Sequence, residues 1–304
     1  MTPTLEEMLR AACVLEATAR KAGNVHPEAS FADLKYQDFV DSANAAAPIL
    51  ARTNELGVGR AILEAVAATK NVARSNTNLG IILLLAPLAA VPRQTRLAAG
   101  IGDVLKGLTL DDAQWAYQAI RLAQPGGMGQ VDSQDISRLP TTTLREAMCL
   151  AVERDLIARQ YADNFSIVLE FGLPYLKQAT DFARHWEPAI IGLQLEVLAR
   201  YPDSLIVRKC GREAAAEISR RAAAVLKKGA PGTERARIGL ARFDAWLRAD
   251  GNRRNPGTTA DLIAAILFAA FRDGGLPVIL PAAHGRSGGG VKTSFPRRAG
   301  ERGK

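Results

Sequence analysis

The sequence predicts an all-α fold: a single compact multi-helix domain over residues 1–280, followed by a disordered basic tail over 281–304. Apolar residues recur almost everywhere at three- and four-residue spacing, the period of a helix with one buried face. Alternating apolar and polar runs bounded by turns, the mark of half-buried strands, are nearly absent. Links between the periodic segments are short and no fixed repeat length emerges, which argues against a solenoid.

The first helix starts at Thr4, with Glu7 three residues on as a capping box. It presents Leu5, Met8, Leu9, Ala12 and Leu15, and is expected to stop near Gly23. Further helices are predicted over 38–47, 57–71, 78–91, 95–106, 111–123, 143–161, 166–178, 188–200, 211–228, 234–249 and 259–272, about twelve in all. Residues 124–142 form the one long central loop, and such loops in compact domains tend to be functional or disordered.

With 304 residues, 48% of them apolar, the chain can bury a sizeable core. Its net charge of +8 is unevenly spread: the last 24 residues hold six bases and one acid, leaving the body close to neutral. A Gly/Arg-rich end of this kind cannot offset its ordering entropy. Nucleic acid is therefore not expected as a partner. Within the tail, GRSGGGVKTS imitates a phosphate-binding loop, but Val291 separates the last glycine from Lys292 and no amphipathic helix follows.

Cys13, Cys149 and Cys210 are scattered and odd in number, which suits a reducing cytoplasm. The first ten residues carry acids where a secretory leader needs bases, so none is expected there. The apolar run Leu79 to Val91 is too short to span a bilayer and contains Pro87, so it reads as a buried helix.

Polar groups that could carry chemistry gather at helix boundaries. Lys21 lies in the turn KAGNV that ends the first helix, where a cation also suits the helix dipole. Asp33 precedes a helix bearing Asp41 and Ser42 between the apolar positions Phe39, Val40, Ala43 and Ala47. Glu64 interrupts AILEAVAAT; embedded in this way, a carboxylate must be paired, protonated or metal-bound. Lys70, Arg74 and the trio Asn76, Thr77 and Asn78 stand before Gly80 at the start of the greasy helix, where free N–H groups and the dipole favour phosphate; Asn76 or Thr77 could equally be a plain cap. Near the C-terminus, Gly257, Thr258, Thr259 and Asp261 repeat this polar-to-apolar start, with Thr258 and Asp261 in capping register. Upstream, Asp203, Arg208 and Lys209 lie on a link between helices. No metal-ligand spacing, nucleophile triad or GxGxxG is present.

Taken in order, six motifs resemble the triphosphoribosyl-dephospho-CoA synthase family over residues 11–275. They are Glu16 with KAGNV; DFVDSA at 38–43; GVGRAILEAVAAT followed by NTNLG; GGMGQVDSQDI at 126–136; YPDSLIVRKCG at 201–211; and NPGTTADLIAAILFAA at 255–270. The resemblance implies an all-helical transferase that moves the triphosphoribosyl group of ATP to the 2′-hydroxyl of 3′-dephospho-CoA and expels adenine, with Mg²⁺ accompanying the triphosphate. Such chemistry at a ribose C1 favours a carboxylate near an oxocarbenium-like centre, a base for the hydroxyl and a proton donor for adenine.

On this reading Glu64, Asp41 and Asp33 are the expected catalytic carboxylates, with Asp41 and Glu64 also the expected Mg²⁺ contacts. Lys21, Arg74, Arg208 and Lys209 are expected phosphate ligands, and the backbones around Thr77 to Gly80 and Gly257 to Thr259 are expected anion cradles. Glu16, Asp132, Asp135, Asp203 and Asp261 are further site candidates. Where the family commonly reads histidine and lysine, this chain has Asn78 and Leu79, and Phe31 stands where an upstream histidine is usual. A transfer to a different acceptor, as in a one-carbon cofactor pathway, and a non-catalytic nucleotide- or CoA-binding role are the alternatives these departures leave open. Pairing of two copies into a homodimer is compatible with the sequence.

Overall fold

The computed structural model describes residues 2–124, 136–229 and 232–280. Among them are fifteen α-helices and one π-helical turn, with a single isolated bridge between His26 and Ala29 and no strand. Three of the helices are only four to six residues long. No helix among the described residues is long and apolar enough to cross a membrane.

Two helices form the centre. α5 (Leu79–Ala90) is apolar all round, so it must be enclosed rather than laid on a surface; every residue from Ile81 to Ala89 is buried. Each of its leucines and isoleucines contributes about 1.5–3 kcal/mol by leaving water. α15 (Gly257–Arg272) is buried continuously from Leu262 to Phe271 and packs along α5. Around this pair lie α1 (Leu5–Thr18), α2 (Tyr36–Leu50) and α4 (Val58–Val72), the last packed on α7 (Leu110–Ala123). A second apolar cluster joins α11 (Phe182–Arg200), α12 (Ser204–Cys210), α13 (Arg212–Leu226) and α14 (Glu234–Arg248).

Pro87 inside α5 has no N–H to give to the Leu83 carbonyl one turn back. The buried Tyr161 hydroxyl donates to that carbonyl instead, at 2.6 Å. The proline is therefore tolerated without leaving a buried acceptor unpaired.

Several expected boundaries shift for identifiable reasons. α1 keeps its Thr4–Glu7 capping box but ends at Thr18, and Gly23 (φ +75°) lies in the following turn. The segment predicted as one helix over 143–161 is two, α8 (Leu144–Cys149) and α9 (Leu156–Ala162), because Asp155 Oδ1 caps a new start by accepting from the Ile157 and Ala158 N–H groups. The stretch 166–178 opens as a π turn, Ile167–Gly172, before α10 (Leu173–Lys177). The 201–211 link contains α12, which Asp203 caps through the Ile206 N–H. The tail and most of the central loop lie outside the described residues.

Candidate functional site

The starts of α5 and α15 face one cavity of about 740 Å³, within the usual range for small-molecule sites. α1, the 24–34 segment, α2, α4, α7, α8, α9 and α12 also line it. Gln124 and Ile136, which flank residues 125–135, lie in its wall. Asp132 and Asp135 fall within 125–135 and so lie outside the described residues.

The cavity is lined in part by acidic groups withdrawn wholly or partly from water. Glu16, near the end of α1, lines it, and its carboxylate meets the Lys21 ammonium at 2.9 Å; the two side chains are 4% and 0% exposed. The early end of α1 makes this pair: the chain turns at Ala19, and Lys21 reaches back to donate to the Glu16 backbone carbonyl as well. Lys21 is thus a buried counter-ion rather than the phosphate ligand expected from the sequence. Its turn is clamped from behind. Gln194 bonds both the N–H and the carbonyl of Ala22, Asp244 accepts from the Gly23 N–H, and Asn24 donates to Asn255.

Asp261, in the first turns of α15, lines the same region and packs directly against Gly80 in the first turn of α5. Burial pushes its carboxyl well above the ordinary range, and the neighbouring charges of Glu16, Asp203 and Asp155 add to the rise while Arg208 opposes it. The Cys13 thiol beneath is pushed up to about 12, chiefly by burial and then by Glu16. Thr258 and Asp261 were expected to cap together, but Asp261 takes no part in capping. Thr258 Oγ1 accepts from the Leu205 N–H and bonds Ser204 Oγ.

Asp203 is buried and ties two helix starts together. Oδ1 accepts from Ile206, while Oδ2 accepts from the Thr259 N–H at 2.7 Å and the Thr259 hydroxyl at 2.8 Å. Asp203 and Thr259 lie behind the cavity wall, so their role is to hold the α15 start in place. Thr258 and Gly257 do reach the lining. A Cβ on Gly257 would meet the Leu205 side chain at 2.6 Å, so this glycine serves helix packing.

The cavity also holds exposed cations in its lining. Lys70, Arg74, Arg154 and Lys209 line it, are exposed, and have no carboxylate partner among the described residues. Arg208 also lines it, held at 2.6 Å by Asp155 Oδ2. Arg154 was not singled out in the sequence because it sits in a helical pattern without a motif; only the α8–α9 break turns it toward the cavity.

At the α5 start Asn78 holds the N-cap position, while Asn76 Oδ1 accepts from the Leu79 N–H. Thr77 bonds Ser42, and the Asn78 amide donates to Thr69. All three line the cavity, and the N–H groups of Gly80 and Ile81 have no partner among the described residues. Leu79, where the family commonly has lysine, is a buried part of the same wall.

Two of the three expected catalytic carboxylates lie elsewhere. Glu64 is 37% exposed and pairs with Arg60 at 2.7 Å along the outer face of α4. Its linear neighbours suggested burial, but on a helix Leu63 and Ala65 point about 100° to either side, and a partner four residues away shares its own outer stripe. Asp41 likewise accepts from Gln37 on the surface of α2. Neither lines the cavity, which removes both the catalytic role and the Mg²⁺ role expected for them. Among the described residues no group of three ligating side chains could hold a metal. Asp33 does line the cavity, at its exposed edge.

The model of the CitG family, described as ATP:dephospho-CoA triphosphoribosyl transferase, matches residues 2–277. The crystal structure of a candidate triphosphoribosyl-dephospho-CoA synthase from Archaeoglobus fulgidus is similar at 29% identity, covering 77% of this chain and 98% of that one, with a TM-score of 0.59. No curated protein matches the chain. The chain belongs to the ATP:dephospho-CoA triphosphoribosyl transferase family of transferases.

Proposed function

We propose that the cavity binds ATP and dephospho-CoA together and transfers the triphosphoribosyl group from the first to the second, releasing adenine. The observation that supports this most strongly is that one cavity is lined both by carboxyl groups withdrawn wholly or partly from water, Glu16 and Asp261, and by the exposed cations Lys70, Arg74, Arg154 and Lys209. A triphosphate requires the cations. Positive charge developing at a ribose C1 is stabilised by a carboxylate such as Glu16, and more strongly where water is withdrawn. The free N–H groups at the start of α5 add a fixed dipole of the sign that anions favour.

Phosphoryl transfer would place the reacting phosphorus among the cations. Transfer of the whole triphosphoribosyl unit instead needs carboxyl groups for the sugar as well as cations for the phosphates, and the lining holds both. Mg²⁺ enters as the counter-ion of the nucleotide, since Asp41 and Glu64 do not fit as its ligands and this ion commonly rides on substrate phosphates with few protein contacts. In the neutral to mildly basic range, ATP and Mg²⁺ with 3′-dephospho-CoA should yield free adenine, measured by chromatography, and ATP alone should yield little. Absence of adenine in the presence of both substrates would refute the transfer; binding of both without release would mark a binding protein.

A further inference from the structure

Four carboxyl groups gather at the α5 and α15 starts, and three have their charge answered. Glu16 meets Lys21 at 2.9 Å; Asp155 meets Arg208 at 2.6 Å and caps α9; Asp203 accepts three hydrogen bonds from Thr259 and Ile206. Asp261 alone has no hydrogen-bond donor and no ion pair within 4.0 Å among the described residues, and it lines the cavity. Three carboxylates surround it from α1, the α9 start and the α12 start, against the single cation Arg208. A carboxyl so placed holds its proton more readily than an ordinary one, because desolvation and three negative neighbours disfavour its charge.

We propose that Asp261 is the catalytic acid of the transfer and carries the proton that adenine takes away. This rests on the function proposed above. As the C1–N9 bond of ATP breaks, the Asp261 carboxyl gives its proton to the departing purine. The acceptor's 2′-hydroxyl oxygen forms the new bond to C1, and its proton returns to the Asp261 carboxylate. One bond forms and one breaks, the proton count closes, and no further reagent is needed. Glu16, fixed by Lys21, stays available to the positive C1. Asp261 is half-buried in the cavity wall and its carboxyl is raised, which suits this work: an ordinary carboxyl would be ionised at neutral pH and would have no proton to give.

The test compares ATP with N7-methyl-ATP, whose purine already carries the positive charge and leaves without protonation. Asp261→Asn should fold as the native protein does, bind ATP with unchanged affinity, and release adenine about 10²–10⁴-fold more slowly. With N7-methyl-ATP its deficit should shrink to about tenfold or less, well under the range typical of lost acid–base catalysis. Native protein supplies an independent arm. Its kcat with ATP should fall as pH rises through the Asp261 titration, and this limb should vanish with N7-methyl-ATP. Equal deficits with both nucleotides, no deficit at all, or the same alkaline limb with both would overturn the assignment. If native protein releases no adenine from ATP, it is the function itself that fails.

Discussion

The Gly80 Cα and the Asp261 carboxylate are in direct contact, so that a methyl group built on Gly80 would overlap Asp261 Oδ2 and crowd Ile157 Cδ1 at 2.7 Å. This contact joins the first turn of α5 to the first turns of α15. Gly80→Ala should therefore push the two helix starts apart or turn Asp261 away from the cavity. We expect a stability loss of about 1–3 kcal/mol, typical of overpacking, together with a larger fall in adenine release than in ATP affinity. Denaturant unfolding combined with a binding titration checks both.

Lys21→Met should be among the most damaging single changes, because it leaves the Glu16 carboxylate buried without its cation. Removing one partner of a buried pair costs about 3–5 kcal/mol. The double variant with Glu16→Gln should recover much of that stability, since no unpaired charge remains, and should stay slow in the transfer. Thermal unfolding of the two variants separates the structural role of Lys21 from the chemical role of Glu16.

Glu64→Gln and Asp41→Asn should each keep near-native activity and stability. Both carboxylates make only surface contacts along their own helices, worth about 0.2–1 kcal/mol or less. Steady-state assays of the two variants suffice, and a hundredfold loss in either would return it to the list of catalytic groups.

Stability should carry a pH signature from Asp261. Its folded carboxyl is raised well above the unfolded value, so its contribution is full below the ordinary carboxylate range and is lost as pH rises through the raised value. Asp261→Asn removes this loss. Chemical unfolding should show the native protein weakening more than the variant as pH rises above the ordinary carboxylate range.

The helices were legible in the sequence because their signals are local. The Thr4–Glu7 box, the apolar run after Asn78 and the period of α15 needed no knowledge of partners. The breaks were less legible. Asp155 splits a predicted helix by capping a new one, and Asp203 starts α12 while also holding Thr259 fifty-six residues away.

The same distinction governs the site. The two polar helix starts could be read from the chain, but that they share a cavity depends on how α5 packs against α15. Lys21 looked like a free cation because nothing in its sequence shows that the turn carries it under α1 to Glu16. Glu64 looked buried because its neighbours in sequence are apolar, whereas Arg60, one turn back on the same outer stripe, is exposed and pairs with it.

One labelling experiment tests the transfer directly: ATP carrying ¹³C in its ribose and ¹⁸O in its γ-phosphate is incubated with 3′-dephospho-CoA, and the acceptor is weighed by mass spectrometry. Both labels should arrive together on the acceptor, in equal amounts and in step with free adenine. Arrival of the γ-phosphate without the ribose, or of neither label while ATP is consumed, would contradict triphosphoribosyl transfer in this cavity.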